Sequence, residues 1–263
     1  MELRDKVAVI TGGSGGIGQA MAKAFLAEGA RAVVIADLDA DAVARAADEI
    51  GCGGRVCDVT DEAQVVALVD AVIAEHGHID LFCSNAGATG RADGPLIEAS
   101  NDVWQRQWEL HVMAHLYAAR AVLPSMLERG EGYLLNTASA AGLLAAIGSG
   151  PYTVSKAAAV KLAEFISITH GDEGIRVSVL CPQGVNTAMA PQSLGDGQTD
   201  GIIEADELAE VVVEALREER FHVLPHPEVG EYVRRKGEDV DRWLRGMRRL
   251  RRKARDAAAA QQD

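Results

Sequence analysis

Short apolar runs separated by longer alanine-rich stretches set the pattern of this chain. The runs fall at residues 7–10, 32–36, 54–57, 81–84, 132–137, 176–181 and 222–224. They are nearly continuous in apolar character instead of alternating with polar residues, as expected of strands covered on both faces. The stretches between them, near 17–29, 40–50, 62–77, 102–128, 152–173 and 205–219, read as helices. Such an alternation is the sequence form of βαβ units and predicts an α/β, doubly wound parallel sheet of seven strands flanked by helices.

After the last strand the chain turns polar. Its apolar residues recur at Val229, Val233, Val240, Trp243, Leu244, Met247 and Leu250, a spacing that approximates one helix face. Gly237 is expected to weaken or kink that helix, and 257–263 to fray. The Gly- and Gln-containing patch at 193–201 reads as a loop. These features divide the chain into one domain over 1–225 and a basic, amphipathic helical extension over 226–263. The extension needs burial across a subunit boundary, over the substrate cleft, or on its own subunit.

Composition narrows the class. A hydrophobic fraction of 48% and a charged fraction of 25% over 263 residues fit an ordinary globular chain able to bury a core. The net charge of −13 argues against general affinity for nucleic acid or anionic lipid. From Phe221 onward 11 Lys and Arg face 7 Asp and Glu, so a tail of +4 follows a body of −17. An Arg-rich run at 248–255 leaves nucleic-acid binding as a minor alternative to pairing with acidic surface. Cys52, Cys57, Cys83 and Cys181 have no C-x-x-C spacing and read as buried free thiols, not metal ligands, which suits a reducing cytoplasm. No apolar stretch reaches the length of a membrane span, and no apolar signal core follows Met1.

The run Thr11, Gly12, Gly13, Ser14, Gly15, Gly16, Ile17, Gly18 joins the first strand to the first helix. In that context glycines admit a pyrophosphate close to the backbone, and the helix N-terminus adds partial positive charge, as in a Rossmann-type nucleotide site. A ligand-free tight turn is the alternative. Asp37 ends the second strand, where a carboxylate can accept from ribose hydroxyls and repel a 2′-phosphate. Two charges 4 Å apart interact by about 4 kcal/mol at an effective dielectric of 20. No Arg or Lys stands at Gly13, Ser14, Gly15 or Leu38 to offset Asp37, so NAD is preferred over NADP.

Tyr152 and Lys156 are four residues apart and share a helix face. A phenol titrating near ~10 becomes a useful acid or base when a cation stabilises its phenolate. Taken alone the pair could be a solvated surface pair; Ser139, thirteen residues upstream of Tyr152, and the glycine turn change that reading.

With these residues the chain resembles the short-chain dehydrogenase/reductase family over about 3–224. Thr11, Gly12, Gly16 and Gly18 match its T-G-x-x-x-G-x-G turn, Asp58 and Val59 its adenine-contacting pair, and Asn85, Ala86 and Gly87 its N-A-G. Ser139, Tyr152 and Lys156 fall on its catalytic serine, tyrosine and lysine; Pro182, Val185 and Thr187 resemble its P-G-x-V-x-T stretch. The resemblance implies transfer of hydride between NAD and a secondary alcohol or ketone. Tyr152 would be the general acid or base, Ser139 would hold the substrate oxygen, and Lys156 would lower the tyrosine pKa and bond the nicotinamide ribose.

Two positions depart from the family pattern. His111 stands where the family has an asparagine thirteen residues before a proline, here Pro124. In the family this position holds a water linking the lysine to solvent, partly through its backbone carbonyl. His111 could preserve that relay, alter its pH dependence through the ring, or be a plain buried histidine. Gln183 replaces the glycine of the P-G pair, which implies a strained backbone there, a turn displaced onto Gly184, or a contact with substrate.

The segments 90–96, 140–149 and 188–203 would bound the substrate, and Gly142 to Ile147 with Met189 suggest a small apolar alcohol or ketone. The helices at 102–128 and 152–173 carry the dimer or tetramer contacts of relatives. The competing readings are an NAD(H)-binding sensor or scaffold without turnover and an NADP-dependent reductase. The intact Ser139, Tyr152 and Lys156 oppose the first, and Asp37 opposes the second.

Overall fold

The computed structural model describes residues 1–88, 98–187 and 200–260, with backbone alone for 257–260. Seven strands form one parallel sheet: β1 (Val7–Thr11), β2 (Ala32–Asp37), β3 (Gly53–Val56), β4 (Leu81–Ser84), β5 (Gly132–Thr137), β6 (Ile175–Leu180) and β9 (His222–Val223). Their spatial order is β3-β2-β1-β4-β5-β6-β9, so the direction of winding reverses between β1 and β4. Ligands of doubly wound sheets bind outside the carboxyl ends of the strands at such a reversal.

The central strands β1, β4 and β5 are buried along their whole length because both faces are covered. One core holds Val9, Phe82, Leu134 and Val179 with the helices α3 (Glu62–His76), α5 (Ala114–Arg129) and α7 (Gly150–His170). The other holds Ile10, Leu81, Leu135 and Leu180 with α1 (Gly16–Ala27) and α8 (Ala205–Glu218). Asp39 and Asp61 cap α2 (Ala40–Ile50) and α3, each side chain accepting from two backbone amides of the first turn.

Several elements differ from the sequence expectations. The helix expected over 102–128 is broken into α4 (Asn101–Trp108), a π-helical turn (Glu109–Met113) and α5. The turn contains His111. A short helix α6 (Ala140–Leu143) follows Ser139, and a two-stranded ladder pairs β7 (Gly184–Asn186) with β8 (Ile202–Glu204). The tail forms two helices, α9 (Glu228–Glu238) and α10 (Val240–Ala260), so its break lies at Asp239 and not at Gly237. Asp239 is extended, with φ −154° and ψ 91°, and its carboxylate accepts from Arg242 N at 2.8 Å at the start of α10. Helical backbone continues through Ala260, beyond the expected fraying point at 257.

Segments 90–96, most of 188–203 and residues 261–263 lie outside the described residues, as do Met189 and most of the 193–201 loop. None of the helices among the described residues is long and apolar enough to cross a membrane. Cys57, Cys83 and Cys181 are buried free thiols, while Cys52 is half-buried. Burial pushes Cys57 up to about 11 and Cys181 up to about 12.

Candidate active site

The glycine turn is shaped by contacts that leave no room for side chains. Gly12 has φ +63°, and an added Cβ would lie 2.7 Å from Ala86 Cα. At Gly18 an added Cβ would meet Gly12 O at 2.3 Å, and at Gly16 it would meet Thr187 Cγ2 at 2.7 Å. Gly13 is equally constrained by Ile35 Cβ at 2.4 Å. Gly15 has more freedom, its nearest neighbour being Gly12 O at 3.4 Å.

Polar side chains brace the open crevice beside this turn. Thr11 Oγ1 donates to Cys83 O at 3.2 Å and accepts from the amides of Asn85 and Ala86 at 3.0 and 3.2 Å. Asn85 Nδ2 donates to the carbonyls of Thr11 and Gly12, while its Oδ1 accepts from Thr137 Oγ1 at 3.1 Å. Thr11, Asn85 and Thr137 therefore connect the ends of β1, β4 and β5. Asp37 Oδ2 accepts from Ser14 N at 3.1 Å and Ser14 Oγ at 2.5 Å, and Oδ1 accepts from Leu38 N at 2.8 Å. Asp58 Oδ1 accepts from the amide and hydroxyl of Thr60, and Val59 is buried beside it.

Ser139, Tyr152 and Lys156 meet at the other end of the crevice. Ser139 caps α6, accepting from Ala141 N at 3.1 Å, and its hydroxyl donates to Pro182 O at 3.4 Å. Lys156 is 3% exposed; Nζ donates to Thr137 O at 2.9 Å and stands 5.8 Å from the centre of the Tyr152 ring. Burial penalises the ammonium and lowers its pKa to about 8. The Tyr152 pKa is raised by burial, against the opposing hydrogen bond to Ser139. The expected lowering by Lys156 thus does not set the net direction; Ser139 is the neighbour that favours the phenolate.

His111 lies against this group, fully buried, with its ring 5.5 Å from that of Tyr152. Nε2 accepts from Ala88 N at 3.2 Å, which leaves Nδ1 to carry the proton toward Ser155 Oγ at 3.0 Å. Ser155 in turn donates to Tyr152 O at 3.0 Å. Burial, followed by the charge of Lys156, drives the His111 pKa far down, so the ring stays neutral. An added Cβ at Gly87 would approach His111 Nε2 at 3.4 Å and Lys156 Nζ at 3.5 Å, so a small residue keeps this corner open.

Gln183 does not have a positive φ, and neither does Gly184, so the expected strain and displaced glycine turn are absent. The backbone amide of Gln183 donates to His226 Nδ1 at 3.2 Å, and its Nε2 donates to Asp200 Oδ2 at 2.7 Å. Pro182 and Val185 line the same wall, with Thr187 closing over Gly16. Sequence reading missed Ser155, Asp200, His226, Tyr232 and Lys236 because their partners are remote in the chain and no spacing announces them.

A continuous cavity of about 1690 Å³ runs from Asp37 and Asp58 past the glycine turn to Ser139, Tyr152, Lys156 and the tail. It exceeds the roughly 300–1,000 Å³ typical of a single small-molecule site. The glycine cradle, the acceptors at Asp37 and the braced crevice fit a dinucleotide running from the Asp37 end toward Tyr152. A fold that opens at the β1/β4 reversal and brings a tyrosine, a lysine and a serine together at its far end defines an oxidoreductase of the nucleotide-binding α/β class.

The short chain dehydrogenase family model matches residues 6–196, and the chain belongs to that family. It is 36% identical over 255 residues to 1-deoxy-11-beta-hydroxypentalenate dehydrogenase of Streptomyces exfoliatus, covering 93% of this chain and 91% of that protein. It is 34% identical over 202 residues to meso-2,3-butanediol dehydrogenase of Serratia marcescens, covering 74% and 79%. A short-chain dehydrogenase/reductase from Burkholderia phymatum, solved in complex with NAD, superposes with a TM-score of 0.82 at 32% identity, covering 92% of this chain and 96% of that one. The chain is thus an oxidoreductase of hydroxy-dehydrogenase type that uses a nicotinamide cofactor and a small-molecule substrate.

Proposed function

We propose that this protein is an NAD-dependent dehydrogenase that interconverts a hydrophobic secondary alcohol and its ketone. The observation carrying this reading is the convergence of Ser139, Tyr152 and Lys156 on one end of a cavity whose other end is the Asp37 carboxylate. The cofactor supplies the hydride acceptor or donor. The amides of the glycine turn and the N-terminus of α1 favour its pyrophosphate. Asp37 selects against a 2′-phosphate, while Asp58 and Val59 flank the base and Gly87, Pro182, Gly184 and Val185 flank the nicotinamide end.

In oxidation Tyr152 removes the hydroxyl proton of the substrate, and in reduction it returns one to the carbonyl oxygen. Ser139 Oγ turns its single proton from Pro182 O to the same substrate oxygen. Lys156, held in place by Thr137 O, offers its charge to the phenolate once that forms, while burial sets the resting tyrosine pKa. His111 contributes through the amide of Ala88 and through Ser155, as a positioning residue. The names of the relatives, a hydroxypentalenate dehydrogenase and a butanediol dehydrogenase, support a secondary-alcohol substrate. A homodimer or homotetramer is proposed from the exposed apolar side chains of α7, where Phe165 and Ile168 are 63% and 76% exposed. A cytoplasmic location suits the free thiols.

The test is an NADH and NADPH fluorescence titration followed by turnover of apolar secondary alcohols. NADH should bind more tightly than NADPH. Tyr152→Phe should keep NADH binding and lose about 10²-fold or more in kcat, since positioned acid–base groups contribute 10²–10⁴. Wild-type kcat in Tyr152→Phe would remove the tyrosine from the mechanism.

A further inference from the structure

The far wall of the cavity comes from the tail. Tyr232 on α9 and Trp243, Met247 and Leu250 on α10 line it, facing Leu144, Ala145 and Ala146 of the segment that follows Ser139. Residues 243, 247 and 250 repeat at helical spacing, so α10 turns one apolar stripe inward. These three side chains are half-buried, while Arg245, Arg248 and Arg251 on the outer side are exposed. The rings of Trp243 and Tyr232 pack at 6.3 Å between centroids, joining the two helices across the break at Asp239.

Two polar tethers fix this wall to the reaction centre. Lys236 Nζ donates to Leu143 O at 2.6 Å and to Leu144 O at 3.4 Å, at the C-terminal end of the helix that Ser139 caps. A cation is favoured at that end of a helix, where carbonyls lack partners within the helix. On the other side, Tyr232 OH donates to Asp200 Oδ1 at 2.8 Å, and Asp200 Oδ2 accepts from Gln183 Nε2. Gln183, in the place of the family's glycine, thereby links the nicotinamide-end wall to α9.

We propose that the inner face of the α9–α10 arm is a substrate subsite for a rigid, multi-ring apolar alcohol or ketone, with Tyr232 and Lys236 as positioning residues that set its distance from Tyr152. The inference rests on the dehydrogenase reading. The cavity volume allows for a bulky skeleton beside a dinucleotide, and the stripe of Tyr232, Trp243, Met247 and Leu250 facing Leu144, Ala145 and Ala146 rewards apolar area, while charged side chains of the arm, Glu231, Arg235, Arg242 and Arg249 among them, border the same cavity. A small diol reaching only Ser139 and Tyr152 would leave that wall in water.

The 263-residue chain is to be assayed with decahydro-2-naphthol and with 2-butanol, alongside Trp243→Ala, Tyr232→Phe, Lys236→Met and Lys236→Arg. NADH binding is measured in parallel. A single methylene in an apolar pocket is worth about 10–200-fold in discrimination, so the bicyclic alcohol should exceed 2-butanol in kcat/KM by at least about 10²-fold. Trp243→Ala and Tyr232→Phe should reduce that ratio by about tenfold or more, mainly through KM, with the NADH dissociation constant moving less than about twofold. Lys236→Arg should restore what Lys236→Met loses.

Decahydro-2-naphthol should also change Trp243 emission in the NADH complex, a signal absent from Trp243→Phe. Equal efficiency for the two alcohols overturns the subsite, as does a ratio indifferent to the tail variants. NADH binding with neither turnover nor a Trp243 response overturns it as well. Failure to bind NADH counts against the dehydrogenase reading itself.

Discussion

The glycine turn and the C-terminal arm border the same cavity but are held by different physics. At the turn, backbone meets backbone: Gly18 and Gly12 O are close enough that a single carbon would collide at 2.3 Å. The arm is seated by buried Val229 and tied by polar side chains, Lys236 on two carbonyls and Tyr232 on Asp200. Steric exclusion confines the turn to a single residue type, whereas hydrogen bonds to carbonyls specify a position without specifying the residue beneath. A cofactor common to many enzymes is thus met by the rigid end, and the individual substrate by the adjustable one.

The strongest way to break this contrast is Gly18→Ala. It should lower NADH affinity at least about 10²-fold and destabilise the fold by about 1–3 kcal/mol or more, as overpacking does. NADH titration and urea unfolding measure both. Unaltered binding would mean that the turn relaxes as readily as the arm.

A second comparison concerns the buried cation. The folded Lys156 titrates at about 8, below its unfolded value of 10.5. Between those pH values the unfolded chain holds a proton that the folded chain lacks, so this group adds stability as pH rises from about 8 to 10.5. Wild type should therefore gain stability relative to Lys156→Met across that window. Other groups cancel in the difference, and parallel curves from denaturant unfolding at pH 7.5 to 10.5 would refute the burial cost.

His111 tests the middle of the cavity. His111→Leu leaves Ala88 N–H without its acceptor and should cost about 1–3 kcal/mol in unfolding free energy. Because the ring is neutral, a pH–rate limb near pH 6 in wild type that vanishes in His111→Leu would contradict its assignment as a positioning group.

The smallest effect is expected at Gly15→Ala. Its Cβ would sit 3.4 Å from Gly12 O, an ordinary contact at the boundary of tightness, and NADH affinity should shift by less than about tenfold. A loss equal to that of Gly18→Ala would show that amide access, and not close packing, governs the turn.

The same contrast explains what was legible in the sequence. Strands such as Val7–Thr11 and Leu81–Ser84 are apolar on both faces, and a run of apolar residues declares that directly. The glycine turn is legible because a side chain there would collide, and the Tyr152–Lys156 spacing because it is one helical step. The π-helical turn at Glu109–Met113 leaves no comparable trace, since one extra residue in a helix does not change its composition. The break at Asp239 depends on a capping carboxylate that competes with the more conspicuous Gly237. Lys236 and Leu143 are separated by 93 residues and joined through a carbonyl that every residue possesses, so no pattern in the chain could identify the pair.

Anchoring through main-chain acceptors also has an evolutionary consequence. Because Lys236 grips the carbonyls of Leu143 and Leu144, the attachment itself asks nothing of the side chains at those positions. Lineages could therefore remodel the floor and the roof of the pocket independently, each retaining its attachment while new substrates are explored. The arm would behave as an interchangeable part, joined to the catalytic domain by fittings that read the backbone on one side only.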